Sequence, residues 1–381
     1  MNYRKFGKLD WEVSALGFGS MRFPILDGDN SKINEPEAIK MVRHAIDNGL
    51  NYVDTAYGYH SGNSEGFVAK VLKDGYRQKV ALATKLPVWL IETYEDFDKY
   101  LDEQLGKLQA DRIDFYLLHG LNKTRWPKVR DLGVTKWAEE KIAEGKIGHI
   151  GFSFHDNFEM FKEIVDAYDG WTFCQIQYNY MDVESSQKGP GVEGLKYAAS
   201  KGLAVIVMEP IQGGRLAMAP PVDIQRIWDE AKTKRTGAEW ALQWVWNQPE
   251  VSLVLSGMSI MRHVKENLVS AGRSGPGTLT PEELALVDRV QKKYLELGTI
   301  GCTKCDYCQP CPEGVLIPDI IEVLNQNYTS TGDETKAAYH AAIPEVGRAV
   351  HCEQCGECEE QCPQALPIMS LMKGTKRAHD S

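Results

Sequence analysis

Residues 51–59 read NYVDTAYGY. The stretch opens as an apolar run, Tyr52-Val53, and breaks at Asp54 into a Gly- and Tyr-rich loop that continues HSGNSE to Glu65. It therefore reads as a buried strand that ends on an acid, with Tyr59 in the loop beyond. Runs of the same kind recur along the chain: Ala15–Ser20, Val80–Leu86, Ile113–His119, His149–Phe154, Cys174–Asn179, Ala204–Pro210 and Val251–Met258. They are continuously apolar rather than alternating, as strands buried on both faces of a parallel sheet are. Helical patterns separate them, among them Glu35–Gly49, Tyr94–Leu108 and Asn157–Tyr168, and Gly49, Gly145 and Gly202 fall where helix C-caps belong. Eight such units over roughly 250–300 residues predict a closed (β/α)8 TIM barrel, an α/β fold. An open doubly wound sheet is the alternative. Its dinucleotide fingerprint is represented only by Gly17-Phe18-Gly19, without the third glycine.

Outward from the barrel pattern, Tyr3–Ser14 reads as a short hairpin closing the barrel bottom, and Thr280-Pro281-Glu282-Glu283 starts a helix to about Leu297. Composition changes abruptly at Gly298–Cys302, so the expected organisation is a barrel over 1–297, a small mainly α-helical domain over 298–372, and a loose tail over 373–381. A net charge of −10 argues against binding nucleic acid or an anionic membrane surface. No apolar run approaches a membrane span, and the N-terminal stretch lacks an apolar signal core, so a cytoplasmic location is expected. Nine cysteines in such a compartment do not read as disulfides.

Active sites of such barrels lie at the C-terminal strand ends. Those ends carry Asp54 with Tyr59 beyond it, then Lys85, His119, Ser153 with His155, Gln177 with Asn179, and Glu209. Singly, each has an ordinary explanation: a helix N-cap, a solvated charge, a core histidine. Together four of them make chemistry. A phenol titrating near ~10 is a poor proton donor at neutral pH, and a neighbouring ammonium lowers that value. A buried lysine needs a carboxylate partner, which Asp54 supplies. A histidine beside the phenol orients a carbonyl oxygen. The set suits hydride addition to C=O, with donors already aimed at the developing oxyanion and Tyr59 as general acid or base.

These residues also carry a family resemblance. DTAYGY, ATKLP and YLLHG, holding Asp54, Tyr59, Lys85 and His119, resemble the catalytic tetrad of the aldo-keto reductases, and residues 3–22 resemble that family's N-terminal signature. The resemblance implies an NADPH or NADH cofactor bound in extended form and a small carbonyl or alcohol substrate. Ser153 and Gln177 match the residues that hold the carboxamide. Met208 replaces the usual stacking aromatic. The Gln212-Gly213-Gly214 loop and Ser256–Ser259 match phosphate contacts, and Glu266-Asn267 the adenine pair. Gly257 stands where a lysine is common and His263 where an arginine is, with Arg262 adjacent. Loops such as Trp126–Arg130 and Asn179–Lys188 are expected to shape the substrate pocket.

The C-terminal cysteines form a separate system. Residues 302–312 read CTKCDYCQPCP and residues 352–363 read CEQCGECEEQCP. The second run has the bacterial ferredoxin spacing with proline after the fourth cysteine, and in two-cluster ferredoxins that cysteine serves the other cluster. The prediction is two [4Fe–4S] clusters: one on Cys302, Cys305, Cys308 and Cys362, the other on Cys352, Cys355, Cys358 and Cys311. Two four-cysteine zinc sites are the alternative. Between the motifs, Ile317–Tyr328 and Asp333–His340 read as helices, and the segment resembles ferredoxin-type modules attached to some aldo-keto reductases. A nicotinamide moves two electrons and a cluster one, so the module implies a redox protein partner, a structural role or redox sensing. An electron-transfer or sensing protein that uses the barrel for docking is the competing function.

Overall fold

The structure, a computed structural model, describes residues 1–327 and 330–380. Tyr328, the last residue of one expected helix, lies outside the described residues, as does Ser381. The chain divides into two compact units, Met1–Pro210 with Glu239–Thr280, and Ile211–Ala238 with Pro281–Ser381.

The first unit is the barrel. Its parallel strands are β1 (Leu16–Gly19), β2 (Tyr52–Asp54), β3 (Ala81–Leu86), β4 (Ile113–Leu121), β5 (Ile147–Phe154), β6 (Phe173–Gln177), β7 (Ala204–Met208) and β8 (Val251–Ser256). They close in sequential order, with β8 paired to β1 through Ser256 opposite Phe18. Every one of the eight expected runs supplies one of these strands, and the open sheet is excluded.

Tyr3–Lys5 and Glu12–Ser14 pair antiparallel as the expected hairpin. Phe6 and Val13 join Tyr52, Phe115, Leu117, Phe173, Ile206, Leu253 and Leu255 in one buried cluster, with Leu9 and Trp11 against it. The hairpin thus plugs one end of the barrel with aromatic surface. Helices flank the strands by the usual amphipathic logic: Glu35–Asp47 buries Ala38, Met41, Val42, Ala45 and Ile46, a stripe at three- and four-residue spacing. Asn157 caps Phe158–Asp166 by accepting the Met160 amide at 3.1 Å. The segment expected as the loop Trp126–Arg130 is instead part of a helix, Arg125–Asp131, anchored by the buried Trp126.

In the second unit, helix Pro281–Glu296 is tied to helix Val222–Asp229 and its continuation by the Arg289–Glu230 ion pair at 2.6 Å. Helices Ile317–Gln326, Gly332–Ala342 and Ile368–His379 enclose a core that includes Ile320, Ile321, Tyr339, Ile343 and Met372. Cys302, Cys308, Cys311, Cys352, Cys358 and Cys362 pack against it. The tail expected to be loose is helical to His379. Ile368, Met372, Thr375 and His379 form one buried stripe, and the Tyr339 hydroxyl donates to Asp380 at 3.0 Å. The stripe is hard to read in the sequence because its own members include Thr375 and His379 while Met369, Leu371 and Ala378 lie off it.

Candidate active site

Side chains alternate faces along a strand. Tyr52, Ala83 and Leu117 face the barrel interior. Two residues further along the same three strands stand Asp54, Lys85 and His119, so alternation carries all three into the barrel mouth. Lys85 Nζ lies 2.6 Å from Asp54 Oδ1 with both side chains almost fully buried. The ammonium also donates to the Thr55 carbonyl at 2.8 Å and reaches the Tyr59 hydroxyl at 3.5 Å. Burial pushes the Asp54 carboxyl up and the Lys85 ammonium down, each resisted by the other's charge. A pair this dry keeps its charges only because they face each other.

Tyr59 opens a tight turn, Tyr59–Gly62, in which His60 and Ser61 are left-handed. The His60 ring nitrogens sit 2.9 Å from the Asn30 carbonyl and 3.1 Å from the Ser20 carbonyl, fixing the turn. The His119 ring meets Tyr59 edge-on at 6.1 Å and Trp89 at 5.1 Å. Burial, with Lys85 and Arg125 nearby, drives His119 well below its ordinary value, and burial lowers His155 to about 4. Both imidazoles are therefore neutral at physiological pH. Behind Lys85, the fully buried Glu65 accepts from Thr84 and from Gln104, each at 2.6 Å.

Other strand ends bring further polar groups inward. Ser153 Oγ accepts the Gly120 amide at 2.7 Å. Gln177 Nε2 donates to Asp182 at 2.9 Å, and Asn179 donates to the same oxygen. Met208 receives Gln175 Nε2 at its sulfur at 3.5 Å. Asn267 is turned inward and donates to Ser256 Oγ at 3.1 Å, whereas Arg262 and Glu266 lie exposed on the surface and face each other at 3.7 Å. A β-carbon at Gly257 would stand 2.8 Å from Arg22 Cγ. Arg22 is thus laid across Gly257, the position where the family resemblance has a lysine. Arg22, Gln175, Glu65, Trp89 and Asp182 were not singled out from the sequence. Arg22 and Gly257 stand more than two hundred positions apart in the chain, so no local signal joins them; Gln175 had the weak signal of sharing the face of Gln177. In the second unit, Gly213 and Gly214 lie in the short 3-10 segment Gln212–Ala217, with Gln212, Gly213 and Gly214 all at positive φ.

A profile of the aldo/keto reductase family matches residues 15–292. The chain belongs to that family. Among relatives, L-galactose dehydrogenase of Arabidopsis thaliana is 27% identical over 310 residues, covering 75% of this chain and 93% of its own. Among solved structures, the holo form of aldo-keto reductase AKR11C1 from Bacillus halodurans superposes with a TM-score of 0.62 at 29% identity, covering 76% of this chain and 96% of that one. An aldo-keto reductase from Klebsiella pneumoniae in complex with NADPH gives 0.60 at 25% identity, with the same coverage. The profile matched by this aldo/keto reductase ends before its cysteine-rich segment.

At that end all eight cysteines are free. Cys302, Cys305, Cys308 and Cys362 line one small cavity. Cys311, Cys352, Cys355 and Cys358, with Cys308, line another of about 80 Å³. Lys304, Asp306, Gln354 and Gly356 adopt positive φ within the motifs, and the Lys304 amide donates to Cys302 Sγ at 3.5 Å. Among the described residues no three His, Cys, Asp or Glu side chains form a group that would hold a single metal ion. No helix among them is long and apolar enough to cross a membrane.

Proposed function

We propose that this aldo/keto reductase transfers hydride between NADPH and a small aldehyde or ketone, or the corresponding alcohol, with Tyr59 as general acid and base. One observation carries the proposal: a dry Asp54–Lys85 pair at 2.6 Å whose ammonium reaches the Tyr59 hydroxyl at 3.5 Å, with a neutral His119 ring edge-on to the phenol ring at 6.1 Å. A bound nicotinamide supplies or accepts the hydride. The chain's own residues handle the oxygen. Lys85 stabilises the phenolate left when Tyr59 gives its proton to the carbonyl oxygen, and neutral His119 donates a hydrogen bond to that oxygen without competing for the proton.

The buried Nδ1 of His119 and Oε1 of Gln175 have no hydrogen-bond partner among the described residues. Polar atoms of that kind are satisfied when a polar group binds, which suits a carboxamide held with Ser153 and Gln177. Ser256 and Asn267 fit phosphate and adenosine contacts, and Arg22 over Gly257 supplies a cation for NADPH. The NADPH-bound Klebsiella relative supports the same choice.

For the cysteines we infer two [4Fe–4S] clusters with the ligand sets given above. Each set surrounds a cavity rather than a point, which favours a cubane over a single zinc ion. The docking-scaffold alternative is not adopted, because a scaffold has no need of an assembled tetrad. Tyr59→Phe tests the enzyme assignment: carbonyl reduction should fall by about 10²–10⁴-fold while NADPH binding persists. Undiminished turnover over a panel of aldehydes and ketones would refute it.

A further inference from the structure

Glu65 is a fully buried carboxyl to which the proposed chemistry gives no part. It stands on the helix Ser64–Val71, inside the first unit. Successive residues of a strand face opposite ways, so Lys85 enters the barrel mouth while Thr84 turns outward to the helices. There the Thr84 hydroxyl donates to Glu65 Oε1 at 2.6 Å. Gln104, on the helix Glu95–Leu108, donates from Nε2 to the same oxygen at 2.6 Å and to the Lys85 carbonyl at 3.0 Å. The Tyr116 hydroxyl fixes that amide by donating to Gln104 Oε1 at 2.6 Å. Glu65 is thus tied to the backbone of Lys85 through one side chain.

The hydrogen bonds also speak for the ionised form. Both groups on Oε1 are donors, at a length typical of bonds to a charged oxygen. Oε2 is buried with no hydrogen-bond partner among the described residues, so a proton placed there would meet no acceptor. Burial pushes the carboxyl up, and the Thr84 and Gln104 bonds, with the Lys107 charge, resist. Glu103 acts the other way, but it is paired with Lys107 at 2.8 Å and accepts from Tyr57 at 3.2 Å. On the other side of the strand, Lys85 faces Asp54, Tyr59 and the neutral His119. Burial presses the Lys85 ammonium toward neutrality; Asp54 opposes this first, and Glu65 adds to the opposition.

We propose that Glu65 is a positioning residue for the reaction: a second buried anion that, with Asp54, holds Lys85 as an ammonium and keeps the Tyr59 phenol protonated into the alkaline range. The inference rests on the reading of Tyr59 as proton donor. Glu65 touches neither substrate nor phenol and acts through Lys85. Its sign is fixed whichever proton is lost first. Removing a nearby negative charge makes both an ammonium and a phenol easier to deprotonate, so without Glu65 the donor fails at lower pH.

The test is the pH profile of kcat/KM for carbonyl reduction by the full chain, with the denaturation midpoint measured beside it. Glu65→Gln keeps the shape and removes the charge. Its alkaline limb should move down by roughly one pH unit, with most of the rate retained well below the limb. Glu65→Met removes the charge without adding an amide and should move the limb the same way, so the question stays answerable if the glutamine does not fold. Tyr116→Phe loosens Gln104 and leaves the charge in place. It should lower the midpoint and leave the limb where it is. A limb that stays put in both Glu65 variants overturns the inference, and so does an equal movement in Tyr116→Phe, which would trace the effect to packing. If the unaltered chain reduces no carbonyl, the proposed function fails and the inference with it. A working reductase whose profile ignores Glu65 defeats the inference alone.

Discussion

Lys85 is the residue on which the proposed chemistry turns, and its burial makes it costly to isolate. Removing Asp54 leaves an unpaired ammonium inside the barrel. Asp54→Ala should therefore destabilise the chain by about 3–5 kcal/mol, read as a lowered denaturation midpoint. Asp54→Leu with Lys85→Met should recover most of that loss while remaining inactive. His155 gives a signed pH effect. Its folded value is depressed to about 4 from an ordinary 6.5, so between those values the unfolded chain binds a proton that the folded chain refuses. Its contribution to stability is full above pH ~6.5 and is lost as pH falls toward about 4. His155→Gln should shrink the drop in midpoint between pH 7 and pH 5, and an unaltered drop would contradict the neutral assignment. At this scale the sequence was informative about which rare polar residues end adjacent strands, as with Asp54, Lys85 and His119. It was silent on Glu65 and Arg22, whose roles depend on Thr84, Gln104 and Gly257 arriving from elsewhere.

At the scale of elements, the eight apolar runs were readable because a strand covered on both faces leaves no polar residues to blur it. The same continuity hid which residues face inward, since alternation of polarity was missing. Only the buried cluster of Tyr52, Ala83, Phe115 and Leu117 reveals the parity. The hairpin shows how local and long-range information combine. Its existence was legible in Tyr3–Ser14, but its energetic role comes from Phe6 meeting Phe115 at 4.8 Å, Trp11 at 5.4 Å and Phe173 at 5.8 Å. Phe6→Ala should cost about 3–5 kcal/mol by opening a cavity at the closed end of the barrel. Because the strand ends that carry the tetrad lie at the opposite end, kcat at low temperature should change little. A large fall in kcat without a shift in midpoint would show that the plug shapes the site rather than the core. The helix Ile368–His379 is not legible in the sequence because its buried stripe has four members, two of them polar, with Met369, Leu371 and Ala378 outside it.

For the whole molecule, the two units rest on different sources of stability. The barrel has an extended apolar interior of its own. Around the cysteines of the second unit, one cluster among the described residues gathers ten buried hydrophobic residues, with six cysteines packed onto it. Small cores of this kind commonly depend on a metal or a cross-link, and ligand binding that closes a site contributes directly to folding. Removing iron by anaerobic chelation should therefore act unevenly. Protease sites should open in residues 299–316 and 345–366, where the proposed ligands lie in irregular backbone apart from Cys358 in the short helix Glu357–Gln361, and helical signal from 317–326 and 368–379 should fall. The barrel's aromatic near-ultraviolet signal should persist, since Trp126, Trp137, Trp171, Trp240 and Trp246 are buried within the first unit. Mapping the cleavage positions by mass spectrometry separates the possibilities. Cuts confined to the cysteine segments place the metal in the second unit as a folding element. An iron-free chain as protease-resistant as the purified one would mean that the ten-residue core suffices, and that the cysteines serve electron transfer rather than architecture.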